Sequence, residues 1–136
     1  MKSLSEIETI SKRASRAAGF SWGISEDVGK GIRILELFGL PGLKNLNQYF
    51  KDKGNKKFEK LNLVCENNLP SSTFYCPIVL GISFLDQIKS IDKIKKVKFK
   101  NIAYPIIFLS FLSRASEIIG KKILIKIDKI EFLLNY

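Results

Sequence analysis

The first forty residues carry start and stop signals for two helices joined so tightly that they must pack against each other. Ser3-x-x-Glu6 and Ser5-x-x-Glu8 both fit a capping box, in which serine and glutamate satisfy orphan amides at a helix start. The helix runs to Ala18, with Ile7, Ile10, Ala14 and Ala17 as its apolar stripe and Gly19 as a left-handed cap. A second helix runs from Trp22 or Ile24 to Phe38. Its stripe is Ile24, Val28, Gly31, Ile32, Leu35 and Phe38, and Gly39 with Pro41 closes it. Gly29 and Gly31 each cost about 1 kcal/mol relative to alanine inside a helix, so close contact is the reason to keep them. A short third helix, Leu43 to Lys51, gathers Leu43, Leu46 and Phe50, and Lys53-Gly54-Asn55-Lys56 reads as a loop.

The second half mixes element types. Phe58 to Cys65 has the partial alternation of a strand, and Asn67 to Ser72 reads as a loop around Pro70. Ile78, Ile82, Leu85 and Ile88 favour a helix over Pro77 to Ile88, with Pro77 in its first turn. Val97 to Ile102 reads as a strand. Pro105 to Ile119, strongly apolar and ended by Gly120, predicts a helix buried on most sides and therefore central. Ile123, Ile125 and Ile127 alternate, and Asp128-Lys129 turns the chain back into a partner strand, Ile130 to Leu134. A strand edge left uncovered there calls for a partner, from this domain or from another chain. The expectation is one α+β domain over residues 1–136. Residues 1–52 supply a helical hairpin and third helix, packed on a small mixed β-sheet with a buried helix from 58–136.

Composition removes several function classes. With no histidine among 136 residues, Ser-His and Cys-His activation and imidazole proton shuttling are excluded. Two cysteines, Cys65 and Cys76, form no CxxC pair, so the usual zinc sites are excluded too, and no metal or cofactor is expected. The two could bridge in an oxidising compartment, but buried thiols need no further role. The most apolar run, Ile102 to Leu112, is too short for a membrane span. Glu6 and Glu8 stand where a signal peptide needs an apolar core, so a soluble cytoplasmic protein is expected. The net charge of +10 sits largely in two lysine clusters, Lys51 to Lys60 and Lys89 to Lys100. Lysine makes up 19 of the 23 basic residues, and phosphate and base recognition favour arginine's planar fork. A solvated basic surface is the plainer reading, ahead of a nucleic-acid footprint.

Three of the four arginines and the single tryptophan lie in the N-terminal hairpin. Arg13 and Arg16, near the end of the first helix, could clamp an anion together with the first amides of the second. The plainer reading is a surface pair, with Glu8–Lys12 an ordinary i,i+4 bridge. Trp22, Glu26, Gly29 and Arg33, spaced four, three and four, form a second line on helix two. Trp22 is then either an interface anchor or a ring folded back over the turn into the core, and Glu26–Lys30 is a helix pair. Gly19, Gly23, Gly29 and Gly31 lack the GxGxxG spacing and the strand–helix context of a dinucleotide loop. Tyr75, Cys76 and Pro77 could line a pocket, but a helix-initiating proline and a buried thiol are the plainer reading and explain them fully.

Ser3-x-x-Glu6, the run Lys12 to Gly19, Trp22-Gly23-x-x-Glu26-Asp27-x-Gly29-Lys30 and Leu40-Pro41-Gly42 resemble the opening of an uncharacterised bacterial family. Cys76-Pro77-Ile78, Leu80-Gly81, Asp86 and Tyr104-Pro105 through Gly120 resemble its later blocks. The family carries no activity to transfer, and its typical members are longer, consistent with a chain shortened at its C-terminal end. A weaker similarity links the hairpin to the N-terminal segment of malate/lactate dehydrogenase-like oxidoreductases, but their catalytic histidine has no counterpart here. The residues therefore predict a non-catalytic module that binds a protein partner, or itself as an oligomer, through the Trp22 face or the C-terminal strand edge. The alternative is an enzyme or subunit holding a small anionic metabolite at the junction of helices one and two. Ligand-binding candidates are Arg13, Arg16, Trp22, Glu26 and Arg33.

Overall fold

Local caps fix the N-terminal architecture. The computed structural model describes residues 3–54, 58, 60, 64, 67–68, 74–93, 96–127 and 130–134. Helix α1 spans Leu4–Ala17, and its N-cap Ser3 accepts a hydrogen bond from the Glu6 amide at 3.2 Å. Helix α2 spans Trp22–Leu37, where Ser21 accepts likewise from the Ile24 amide at 3.3 Å. Helix α3 spans Gly42–Lys53, and its cap comes from another element: the Glu36 carboxylate accepts from the Leu43 amide at 2.9 Å. Gly19 takes the left-handed conformation at φ +101°, letting the chain reverse between α1 and α2.

The two helices meet through small residues, as their glycines imply. A β-carbon at Gly29 would lie 2.8 Å from the Glu8 carbonyl oxygen of α1, whereas Gly31 serves a different contact, where a β-carbon would lie 3.0 Å from Ser110 Cβ in the helix over 105–119. The buried face of α1 differs from the apolar stripe: it is Ile7, Ser11 and Ser15, while Ile10 and Ala17 are exposed. Serine suits the seam because it is small and can bond within its own helix; Ser15 Oγ donates to the Ser11 carbonyl at 2.8 Å. On α2 the buried set is Ser25, Val28, Gly29, Gly31, Ile32 and Leu35. Phe38, expected in that stripe, is the residue capping the helix end and is 75% exposed.

The rest of the chain is α+β as expected. Strand β1 is Asn67–Asn68, helix α4 is Pro77–Asp86, helix α5 is Ile88–Ile91, and strand β2 is Lys98–Phe99. Helix α6 is Pro105–Ile119, followed by strands β3, Ile123–Ile127, and β4, Ile130–Leu134. Among the described residues the strands form two separate pairs. One is parallel, β1 with β2, and the other antiparallel, β3 with β4, with Leu124 opposite Leu133. Asn67–Asn68 falls where the sequence reads as a loop; its side chain helps to pair it, since Asn68 Nδ2 donates to the Lys98 carbonyl at 2.9 Å. Tyr75 extends that contact through a parallel bridge to Ile102. Most of the strand expected over 58–65 lies outside the described residues.

Helix α6 is the spine. Residues 107–112, 115 and 116 are all buried. Ile107, Leu109 and Phe111 join Val28, Ile32, Leu46 and Tyr49 in one core cluster, whereas Phe108, Leu112 and Ala115 join Leu80, Phe84 and Ile88 in a second. Burying each such aliphatic or aromatic side chain contributes about 1.5–3 kcal/mol. Helix α2 packs on this spine, with its first residue, Trp22, at the surface.

Candidate functional site

Trp22 is the first residue of α2 and is 58% exposed, so it does not fold back into the core. Two cations cover its ring. The Arg16 guanidinium carbon lies 4.8 Å from the ring and the Lys12 Nζ 5.5 Å. Lys12 and Arg16 are one turn apart on α1, so both side chains reach the same side of the hairpin. Each exposed contact of this kind contributes about 0.5–1 kcal/mol.

Arg16 and Lys53 also serve the turn that follows α1, where carbonyls lack helical partners and the helix dipole is negative. Arg16 Nη1 donates to the Phe20 carbonyl at 3.1 Å. Lys53, from the end of α3, donates to the Ala18 carbonyl at 3.3 Å and lies 4.2 Å from the Phe20 ring. Glu26 pairs with Lys12 at 3.5 Å and Arg33 with Glu8 at 3.3 Å. Both pairs bridge the two helices, in place of the expected Glu8–Lys12 and Glu26–Lys30 pairs along each helix. Arg114 of α6 clamps α2 through Asp27 at 2.9 Å.

Of the sequence candidates, Arg16, Trp22 and Glu26 thus gather around Lys12. Arg33 is eleven residues beyond Trp22, about 16 Å along the helix, and belongs to the far end of the hairpin. Arg13 is exposed on α1 one turn before Arg16 and, among the described residues, makes no ion pair. Lys12, Lys53 and Phe20 are the members that sequence reasoning missed. The i,i+4 spacing of Lys12 and Arg16 is legible in the chain, but nothing local brings Lys53 to Phe20.

Three other places bring polar groups together. An open concavity of about 490 Å³ on α3 is lined by Glu36, Leu43, Lys44, Asn47, Gln48 and Lys51, and includes none of the hairpin candidates. In the core, the Tyr49 hydroxyl lies 2.7 Å from Cys76 Sγ, and burial, followed by the thiol alongside, pushes the phenol above its ordinary range. Tyr104 donates to the Asp52 carboxylate, and this hydrogen bond, then burial, raises its phenol as well. Both phenols are held in the protonated form, the wrong state for a base or nucleophile near neutral pH. Pro77 starts α4 and Cys76 is buried beside it, as the plainer reading of that motif requires. Among the described residues no group of three acidic or thiol side chains could hold a metal ion, and no helix is long and apolar enough to cross a membrane.

Comparison with known proteins places the hairpin and α3 inside a family and leaves their role open. No curated protein and no solved structure matches the chain. A family model does match, over residues 2–76, a span that includes every hairpin candidate above: the chain belongs to the family described as protein of unknown function (DUF3726).

Proposed function

We propose that the chain is a non-catalytic interaction module that docks a protein partner on the Trp22 face of its helical hairpin. One observation carries this reading: an indole 58% exposed yet steadied by Arg16 and Lys12. Tryptophan and arginine are the residues that most often dominate binding energy at interfaces. A ring already restrained by its neighbours loses less entropy on binding than a free one.

The C-terminal hairpin supports a second surface, for self-association. Leu124 and Leu133 form an outward cross-strand pair, each 56% exposed. The outer edges of β3 and β4 have no further strand beside them among the described residues. The anionic-metabolite alternative has less behind it. Arg13 and Arg16 are both exposed, and the concavity on α3, which could enclose a small molecule, includes neither.

The test is a parallel affinity capture with the wild-type chain and Trp22→Ala, both checked for folding by circular dichroism, together with sedimentation over a concentration series. A partner retained by wild type and lost by W22A is the expected result. A concentration-independent monomer that retains the same proteins with and without Trp22 would rule the module out.

A further inference from the structure

We infer that the Trp22 face takes an acidic segment of a partner protein, with an apolar side chain laid on the indole and carboxylates beside it on Arg16 and Lys53. This rests on the docking role proposed above and adds the chemistry of the occupant. Lys12, Arg16 and Lys53 contribute three cations around the turn, and among the described residues the one carboxylate that pairs with any of them is Glu26, on Lys12. Arg16 and Lys53 each give a hydrogen bond to a carbonyl of the turn, but a guanidinium has five N–H donors and an ammonium three. Both heads are exposed and retain donors for an incoming carboxylate.

The turn also leaves room. A β-carbon added at Gly19 or at Gly23 would meet nothing within 4 Å, so backbone on either side of Trp22 is open to close approach. A partner main chain can therefore approach closely at these two positions.

Charge decides among occupants. In a two-fold contact of this face with a second copy, Arg16, Lys12 and Lys53 would meet their own counterparts, in a chain already carrying +10. A single-stranded nucleic acid would stack its bases on successive aromatic rings, and Trp22 is the one large exposed ring at this turn. A membrane surface would find one exposed ring here, with no apolar helix face around it to insert.

The only tryptophan in the chain is the reporter. Its emission is followed while the full chain is titrated with a synthetic peptide of alternating glutamate and leucine, and with the same peptide carrying glutamine for glutamate. A single-stranded oligothymidylate and vesicles of phosphatidylserine with phosphatidylcholine are titrated in the same way. The acidic peptide should shift the emission to the blue, and binding should weaken about tenfold or more in the glutamine peptide and in Arg16→Gln or Lys53→Gln. Arg16→Lys should recover part of the loss. Equal binding of the two peptides, a stronger response to oligonucleotide or vesicles, or no shift with any probe would overturn the acidic occupant. If the capture experiment still yields a Trp22-dependent partner in that case, the docking role stands and only its chemistry is wrong. If neither experiment responds to Trp22, both fall.

Discussion

Changing Gly29 and Gly23 to alanine, one at a time, asks whether the hairpin is held by backbone proximity. Both glycines lie in α2, and alanine is the better helix former by about 1 kcal/mol at an interior position. At Gly23 the new methyl meets nothing within 4 Å, so Gly23→Ala should stabilise, by up to about 1 kcal/mol, less if the first turn frays. At Gly29 the methyl would sit 2.8 Å from the Glu8 carbonyl oxygen and 3.4 Å from Lys12 Cβ. A backbone oxygen cannot rotate away, so α1 has to move as a body. Overpacking of this kind costs about 1–3 kcal/mol against a helix-propensity gain of about 1 kcal/mol, leaving a net loss of up to about 2 kcal/mol. Urea unfolding followed by far-UV circular dichroism reads both values. In thermal melts, each kcal/mol should move the midpoint by roughly 3–5 °C for a chain of this size. The same substitution in the same helix should thus have opposite signs. If Gly29→Ala stabilises as much as Gly23→Ala, the two helices are not in contact at Glu8 and the described crossing is wrong.

Three further outcomes are expected. Trp22→Ala should change stability by no more than about 2 kcal/mol, since it removes an exposed ring and its two cation contacts; a larger fall in the urea midpoint would mean that the ring is buried in solution. Glu36→Ala removes the carboxylate that caps α3 from α2, and should cost about 1–2 kcal/mol in the same assay. Tyr49 ionises less readily in the fold than in the unfolded chain, where its ordinary value is 10.0. Its contribution is therefore complete below about pH 10 and is lost as pH rises further, because the unfolded chain then gives up a proton that the fold retains. Thermal midpoints measured from neutral to strongly alkaline pH should fall more steeply above pH 10 in wild type than in Tyr49→Phe. Parallel slopes would contradict the assignment.

What was legible in the chain was local. Ser3, Pro77 and Pro105 mark helix starts and Gly19, Gly39 and Gly120 mark helix ends because caps depend on a few neighbouring residues. The β3–β4 hairpin followed from alternation and a short connection. The buried face of α1 was misread because Ser11 and Ser15 count as polar, although their size is what the seam selects. The strand at Asn67–Asn68 exists through a partner thirty-one residues away, which no window along the chain reveals. Among the candidate residues, Arg16 and Lys12 could be aligned from their spacing. Whether Trp22 turned inward or outward, and whether Glu8 paired along its helix or across to Arg33, depended on how the helices cross.

The hydroxyls of Ser11 and Ser25 are buried and, among the described residues, lack any hydrogen-bond partner. Ser11 lies on the packed side of α1, and Ser25 one turn before Gly29 on α2. A joint lined this way gives up little greasy area when it parts, and incoming water would find two thirsty groups waiting. Parting α1 from α2 therefore costs this fold little, and the amide protons of α1 should exchange with solvent well before those of the apolar spine α6.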